Sequence, residues 1–98
     1  MKFEFADPDL EEVYYNPSAS LGHGPAVDKG FRKVMGFVAN ALNELDLRRM
    51  KGWHYHKLKA DREHQHGIKV TDKWRIVVER IEEKGSTSLL IVSVEDYH

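Results

Sequence analysis

The spacing of apolar residues changes at Gly52. Between Asp7 and Asp46 they recur every three or four positions, whereas beyond Gly52 they fall into short runs that alternate or are apolar on both sides. A stripe at helical spacing and a pleated face each need an apolar partner, so helices from the first half must pack on a sheet from the second. A chain of 98 residues encloses one such core and reads as a single domain over residues 1–98. The expected class is α+β: a strand, two helices, then a four-stranded antiparallel meander, with helices on one face of the sheet and the other face open.

Lys2 to Ala6 alternates polar and apolar and suits a short strand. Asp7-Pro8 has the form of a helix start, a capping carboxylate before proline at the first helical position. Leu10, Val13 and Tyr14 give the short helix its stripe, and Asn16-Pro17 with the Ser/Gly-rich run to Gly24 ends it. The second helix opens at Pro25 and reads through to Asp46 on Val27, Phe31, Val34, Val38, Ala41, Leu42 and Leu45, widened by Met35 and Phe37. Gly30 and Gly36 lower its helix propensity, which points to another element packing closely there. Strands are expected near 55–59, 67–71, 74–82 and 88–94, with tight turns at Asp72-Lys73 and Lys84-Gly85. In the third strand Trp74, Ile76 and Val78 share one face, and Arg75, Val77 and Glu79 the other. Trp74 reads as a core anchor. Leu89 to Val92 is apolar on both faces, as a strand with neighbours on both sides should be.

The formal charge of −1 conceals an uneven distribution. Residues 1–46 carry four basic and eight acidic side chains, and residues 47–98 carry eleven and eight. From Arg48 to Arg75 there are nine Lys/Arg against three Asp/Glu, with four histidines besides. Such a stretch attracts phosphate-bearing partners, or it solvates exposed strands. With no cysteine in the sequence, disulfides, thiolate metal sites and cysteine nucleophiles are excluded. No apolar run approaches a membrane span and the first residues lack a secretory apolar core, so the expectation is a cytoplasmic protein without membrane contact.

Cleaving RNA without a metal ion needs one group to take the 2′-hydroxyl proton, another to protonate the leaving 5′-oxygen, and cations to hold the phosphate. Histidine suits the first two tasks and arginine or lysine the third. The basic stretch offers His54, His56, Lys57, Lys59, Arg62, His64, His66, Lys73 and Arg75, and the terminal Asp96-Tyr97-His98 adds a carboxylate, a phenol and an imidazole. A metal reading stands beside this one. Alternate residues on a strand share a face, so His54 with His56, or His64 with His66, could present two imidazoles to zinc or nickel. The absence of cysteine and the few nearby carboxylates count against it. No metal and no other cofactor is expected.

The order of these groups carries more information than their types. Leu58-Lys59-Ala60-Asp61-Arg62, then Trp74-Arg75-Ile76, then Glu95-Asp96-Tyr97-His98 resembles the HigB branch of the RelE/ParE toxin superfamily. Motif and spacing agree over residues 45–98, and the earlier part agrees in architecture. The resemblance implies a RelE-like microbial ribonuclease fold and a toxin that cuts messenger RNA on the ribosome. It also implies a helix-turn-helix, HigA-like antitoxin as silencing partner, with operator DNA bound only through that partner. Carried over by position, His56 and His98 handle protons, Lys59 sits near the phosphates and Arg75 holds the scissile one. Asp96 orients or activates an imidazole, and Tyr97 stacks on a base. Lys57, Arg62, His66 and Lys73 are the expected RNA contacts. Ala60 replaces a glycine of the pattern, Lys57 a proline, Gln65-His66 an aromatic pair and Thr71 a basic residue. Two other readings stay open, a ParE-type inhibitor of DNA gyrase and an antitoxin-binding module with a drifted site. So does a question of phase: in an unbroken strand His56 and Lys59 face opposite sides, so the strand ends or bulges between them, or one assignment fails.

Overall fold

The computed structural model describes residues 1–62 and 64–96. Strand β1 (Phe3–Phe5) is followed by helix α1 (Pro8–Tyr15), helix α2 (Pro25–Asn40) and the short helix α3 (Glu44–Arg49). A 3-10 turn at Lys51–Trp53 leads to β2 (His56–Lys57), a second at Ala60–Arg62 to β3 (Gln65–Lys69), and then come β4 (Trp74–Glu83) and β5 (Ser86–Asp96). The class is α+β, as read from the sequence. Among the described residues no helix is long and apolar enough to cross a membrane.

Local chemistry sets the first helices. The Asp7 carboxylate accepts from the Asp9 N–H at 2.9 Å, Pro8 occupies the first turn, and Leu10 and Val13 are buried. Tyr14 packs edge-on to Phe3, with ring centroids 5.7 Å apart. Arg32 of α2 donates to the carbonyls of Val13, Asn16 and Ala19 at 2.9, 3.2 and 2.7 Å, fastening the Ser/Gly-rich loop that periodicity leaves unspecified. Asp28 accepts from the Leu21 N–H at 2.8 Å, and that bond above all holds its carboxyl below the usual range.

The expected second helix to Asp46 is two helices. α2 stops at Asn40, and Asn43 caps α3 by accepting from the Leu45 N–H at 3.0 Å, while Asp46 accepts from the Leu42 N–H at 2.8 Å. Asn and Asp side chains compete with the helical backbone for these donors, which is why they break a helix whose apolar spacing continues. The cost falls on two leucines expected in the core: Leu42 is 87% exposed and Leu45 51%.

The sheet is five-stranded, in the order β1-β5-β4-β3-β2. The meander is antiparallel as expected, and β1 extends it by pairing parallel to β5, Phe3 to Leu89 and Phe5 to Ile91. Phe31, Met35 and Val38 of α2 meet Ile68, Ile76, Val78, Leu89 and Ile91 in the core. Trp74 is not part of that core. It is half-buried at the first residue of β4, its ring stacked on His23 of the loop before α2 at 4.0 Å. The turn at Lys84-Gly85 has φ of 49° and 81°, the two left-handed residues of a tight hairpin.

One irregularity decides which side chains reach the open face. Val78 pairs with Ile91 but Val77 with Ser93, leaving Val92 as an extra residue in β5. The bulge reverses the phase of the strand beyond it. Val94 rejoins Ile76 towards the helices, and Ser93 and Glu95 turn to the open face with Val77 and Arg75.

Candidate functional site

The end of β2 builds the site. His56 pairs with Gly67 and Lys57 with His66, and the last ladder bond runs from the Leu58 N–H to the Gln65 carbonyl at 2.8 Å. The chain then leaves the sheet for the 3-10 turn at Ala60–Arg62. The phase question is thereby answered: the strand is over before Lys59, and both His56 and Lys59 line one hollow of about 320 Å³ together with Lys57, Leu58, Arg62 and Arg75.

Gly67 is the floor between two of these groups. A Cβ there would lie 3.3 Å from Arg75 Cδ, 3.3 Å from Leu58 Cδ2 and 3.7 Å from His56 Cε1. A glycine inside a strand marks such an approach, a signal that the sequence itself carries. His54, in the left-handed region at φ 48°, turns its carbonyl onto Nδ1 of His56. A carbonyl only accepts, so in the neutral ring Nδ1 carries the hydrogen and Nε2 keeps the lone pair. That leaves His56 equipped to take a proton through Nε2.

Arg62, expected among the RNA contacts, is committed elsewhere. Its two terminal nitrogens meet the two oxygens of Glu95 at 2.8 and 2.9 Å, and Nε donates to Gln65 Oε1 at 3.1 Å. The bond from Arg62 holds the Glu95 carboxyl below its ordinary range, with Ser93 Oγ donating at 2.6 Å, and raises Arg62 in turn. Gln65 Nε2 continues the network to Glu79 at 3.0 Å. The sequence reading gave Glu95 no task, because its facing depends on the bulge at Val92.

Other expected contacts lie apart. Lys73 is exposed in the β3–β4 turn, where Thr71 Oγ1 accepts from the Lys73 and Trp74 N–H groups at 3.3 and 3.2 Å. Asp96 stands across from Trp74, one residue out of phase with the facing pair Arg75 and Glu95. Tyr97 and His98 lie outside the described residues. His66 is on the helix side of the sheet, 7% exposed, its ring stacked on Tyr55 at 4.8 Å. Alternation after the Gln65 position puts it there, so it does not share the hollow with His56. Tyr55 in turn donates to Glu44 at 2.6 Å, and Arg80 meets the same carboxylate at 2.6 Å. Among the described residues no three His, Asp or Glu side chains stand together as a metal-binding group.

Burial pushes the His66 imidazole below its ordinary range; Glu44 opposes the shift, and Arg48, Arg80 and Lys57 add to it. The unfolded chain therefore takes the proton more readily than the folded one. Stability is complete above the ordinary histidine pKa of about 6.5 and falls as pH drops towards the lowered folded value. The thermal midpoint is expected to decline between pH 7.5 and 5.5, and His66→Phe should flatten that slope. A wild-type midpoint constant across this range would contradict the account.

No family model matches the sequence, and no curated protein matches it. Among solved structures the chain is similar to a YoeB/ParE toxin from Agrobacterium tumefaciens, with a TM-score of 0.61 over 100% of both chains and 13% identical residues. What two chains share at that identity is architecture, and the chain has the fold of that toxin.

Proposed function

We propose that this chain is the toxin of a toxin–antitoxin pair, a HigB-type endoribonuclease that cuts messenger RNA on the ribosome. The observation that carries the reading is the convergence of His56, Lys59 and Arg75 on one hollow, from a strand end, the segment after it and a second strand. The fold likeness to a YoeB/ParE toxin supports the toxin class.

The chemistry follows from the groups. His56 Nε2 takes the 2′-hydroxyl proton, and the 2′-oxygen attacks phosphorus. A 2′,3′-cyclic phosphate forms as the bond to the 5′-oxygen breaks. That oxygen leaves with a proton, for which His98 is the proposed donor. Arg75 and Lys59 hold the non-bridging oxygens, whose charge grows towards the transition state. Tyr97 stacks on a base, whereas Asp96, out of phase with Arg75 and Glu95, is given no part at the hollow. Lys57, which also lines the hollow, and Lys73 follow the RNA backbone. The protein works in the cytoplasm, and a helix-turn-helix, HigA-like antitoxin covers the site and supplies the binding to operator DNA.

Expression without an antitoxin is the test. Growth arrest accompanied by new messenger RNA ends within codons, both abolished by His56→Ala, is the expected result. Growth arrest with intact messenger RNA would overturn the nuclease reading and favour inhibition of DNA gyrase on the same fold.

A further inference from the structure

We propose that Arg62 and Glu95 are positioning residues, a clamp that holds Lys59 at the hollow by fastening the turn behind it to β5. The inference rests on the nuclease reading of that hollow. Past Leu58 the backbone has left the ladder, and its bond within the turn, Arg62 N–H to the Lys59 carbonyl, is long at 3.3 Å. A segment without ladder bonds keeps its place through side chains. Arg62 supplies them, with a two-pronged grip on Glu95 and a third bond to Gln65. Bidentate guanidinium–carboxylate pairs fix orientation as well as distance.

Each end of the clamp is anchored. Ser93 holds Glu95 within β5, and Gln65 of β3 passes its own contact to Glu79 of β4. Glu95 also faces Arg75 across the β4–β5 ladder. One carboxylate thus refers the Lys59 segment and the Arg75 strand to the same point. The two side chains are about one-third exposed, at 35% and 33%. Pairs so wetted add little to stability, so their loss separates placement from folding.

The experiment compares wild type, Glu95→Ala, Arg62→Ala and the exchanged pair Arg62→Glu/Glu95→Arg, using backbone order parameters at Lys59 and Arg62 and steady-state cleavage of ribosome-bound messenger RNA. Each single variant is expected to lose order at both positions while Gly67 and Ile68 stay rigid. Its kcat should fall about tenfold with KM little changed, as for an arrangement needed by the reaction more than by binding. The exchanged pair should recover both readouts in part. Order at Lys59 unchanged in Glu95→Ala would overturn the proposal whatever the activity. A wild-type chain that cuts no RNA would remove the nuclease reading and leave the order-parameter comparison to decide the clamp.

Discussion

Arg75→Ala should lower RNA cleavage by about 100- to 1,000-fold, the scale on which removing one preorganised donor from a developing oxyanion acts. The loss should appear in kcat, because in the proposed mechanism the guanidinium meets a charge that is largest in the transition state. Arg75→Lys keeps the charge but not the fork and should recover only part of the rate. The side chain lies on the open face, half-buried over Gly67, so the thermal midpoint should move by no more than a few degrees. Single-turnover cleavage with ribosomes in excess measures the effect. An Arg75→Ala chain that cuts at the wild-type rate would remove the arginine from the mechanism.

The second large effect is on stability and separates two glycines of one helix. At Gly30 an added Cβ would lie 2.7 Å from Val70 Cγ1 and 3.1 Å from the Val70 carbonyl oxygen. The valine can turn, but its backbone is held by the bond from the Val70 N–H to the Trp74 carbonyl at 2.9 Å. Gly30→Ala therefore forces α2 away from the β3–β4 hairpin and should cost about 1–3 kcal/mol. At Gly36 nothing lies within 4 Å of an added Cβ, and alanine there should stabilise by about 0.5–1 kcal/mol through the helix backbone alone. Urea unfolding of the two variants should shift the midpoint in opposite directions. A common sign would mean that the contact at Val70 does not control the packing distance.

Those two glycines also show how far the residues spoke for themselves. Both were read as places where another element comes close, and only Gly30 is one, because helical spacing does not say which side of α2 the hairpin occupies. Capping at Asp7 and the turn at Lys84-Gly85 depend on neighbours in the chain, so they could be read directly. Leu42 and Leu45 continue the helical period and are exposed, since a short polar side chain at Asn43 outweighs spacing as soon as the backbone can turn. Trp74 was expected to be an anchor by size and sits at the first residue of β4, stacked on His23, a loop residue that no pattern connects to it.

The site follows the same division. His56, Lys59 and Arg75 came from motif order, and the hollow that they share needed the strand to stop after Lys57, which alternation cannot announce. Glu95 stands directly before Asp96-Tyr97-His98. Its value depends on one extra residue at Val92, a displacement invisible without the partner strand. His66 has the type and the neighbourhood of an RNA contact, and strand parity sends it to the opposite side.

The parallel pairing of β1 with β5 has a consequence for biosynthesis. The segment Phe3–Phe5 precedes the other described strands along the chain, yet the edge that it joins belongs to the last of them. Contacts so distant along the sequence form late, and a nascent chain cannot make them until β5 has been translated. For a molecule proposed to attack translation this ordering holds back closure of the sheet until the ribosome has decoded the last described strand.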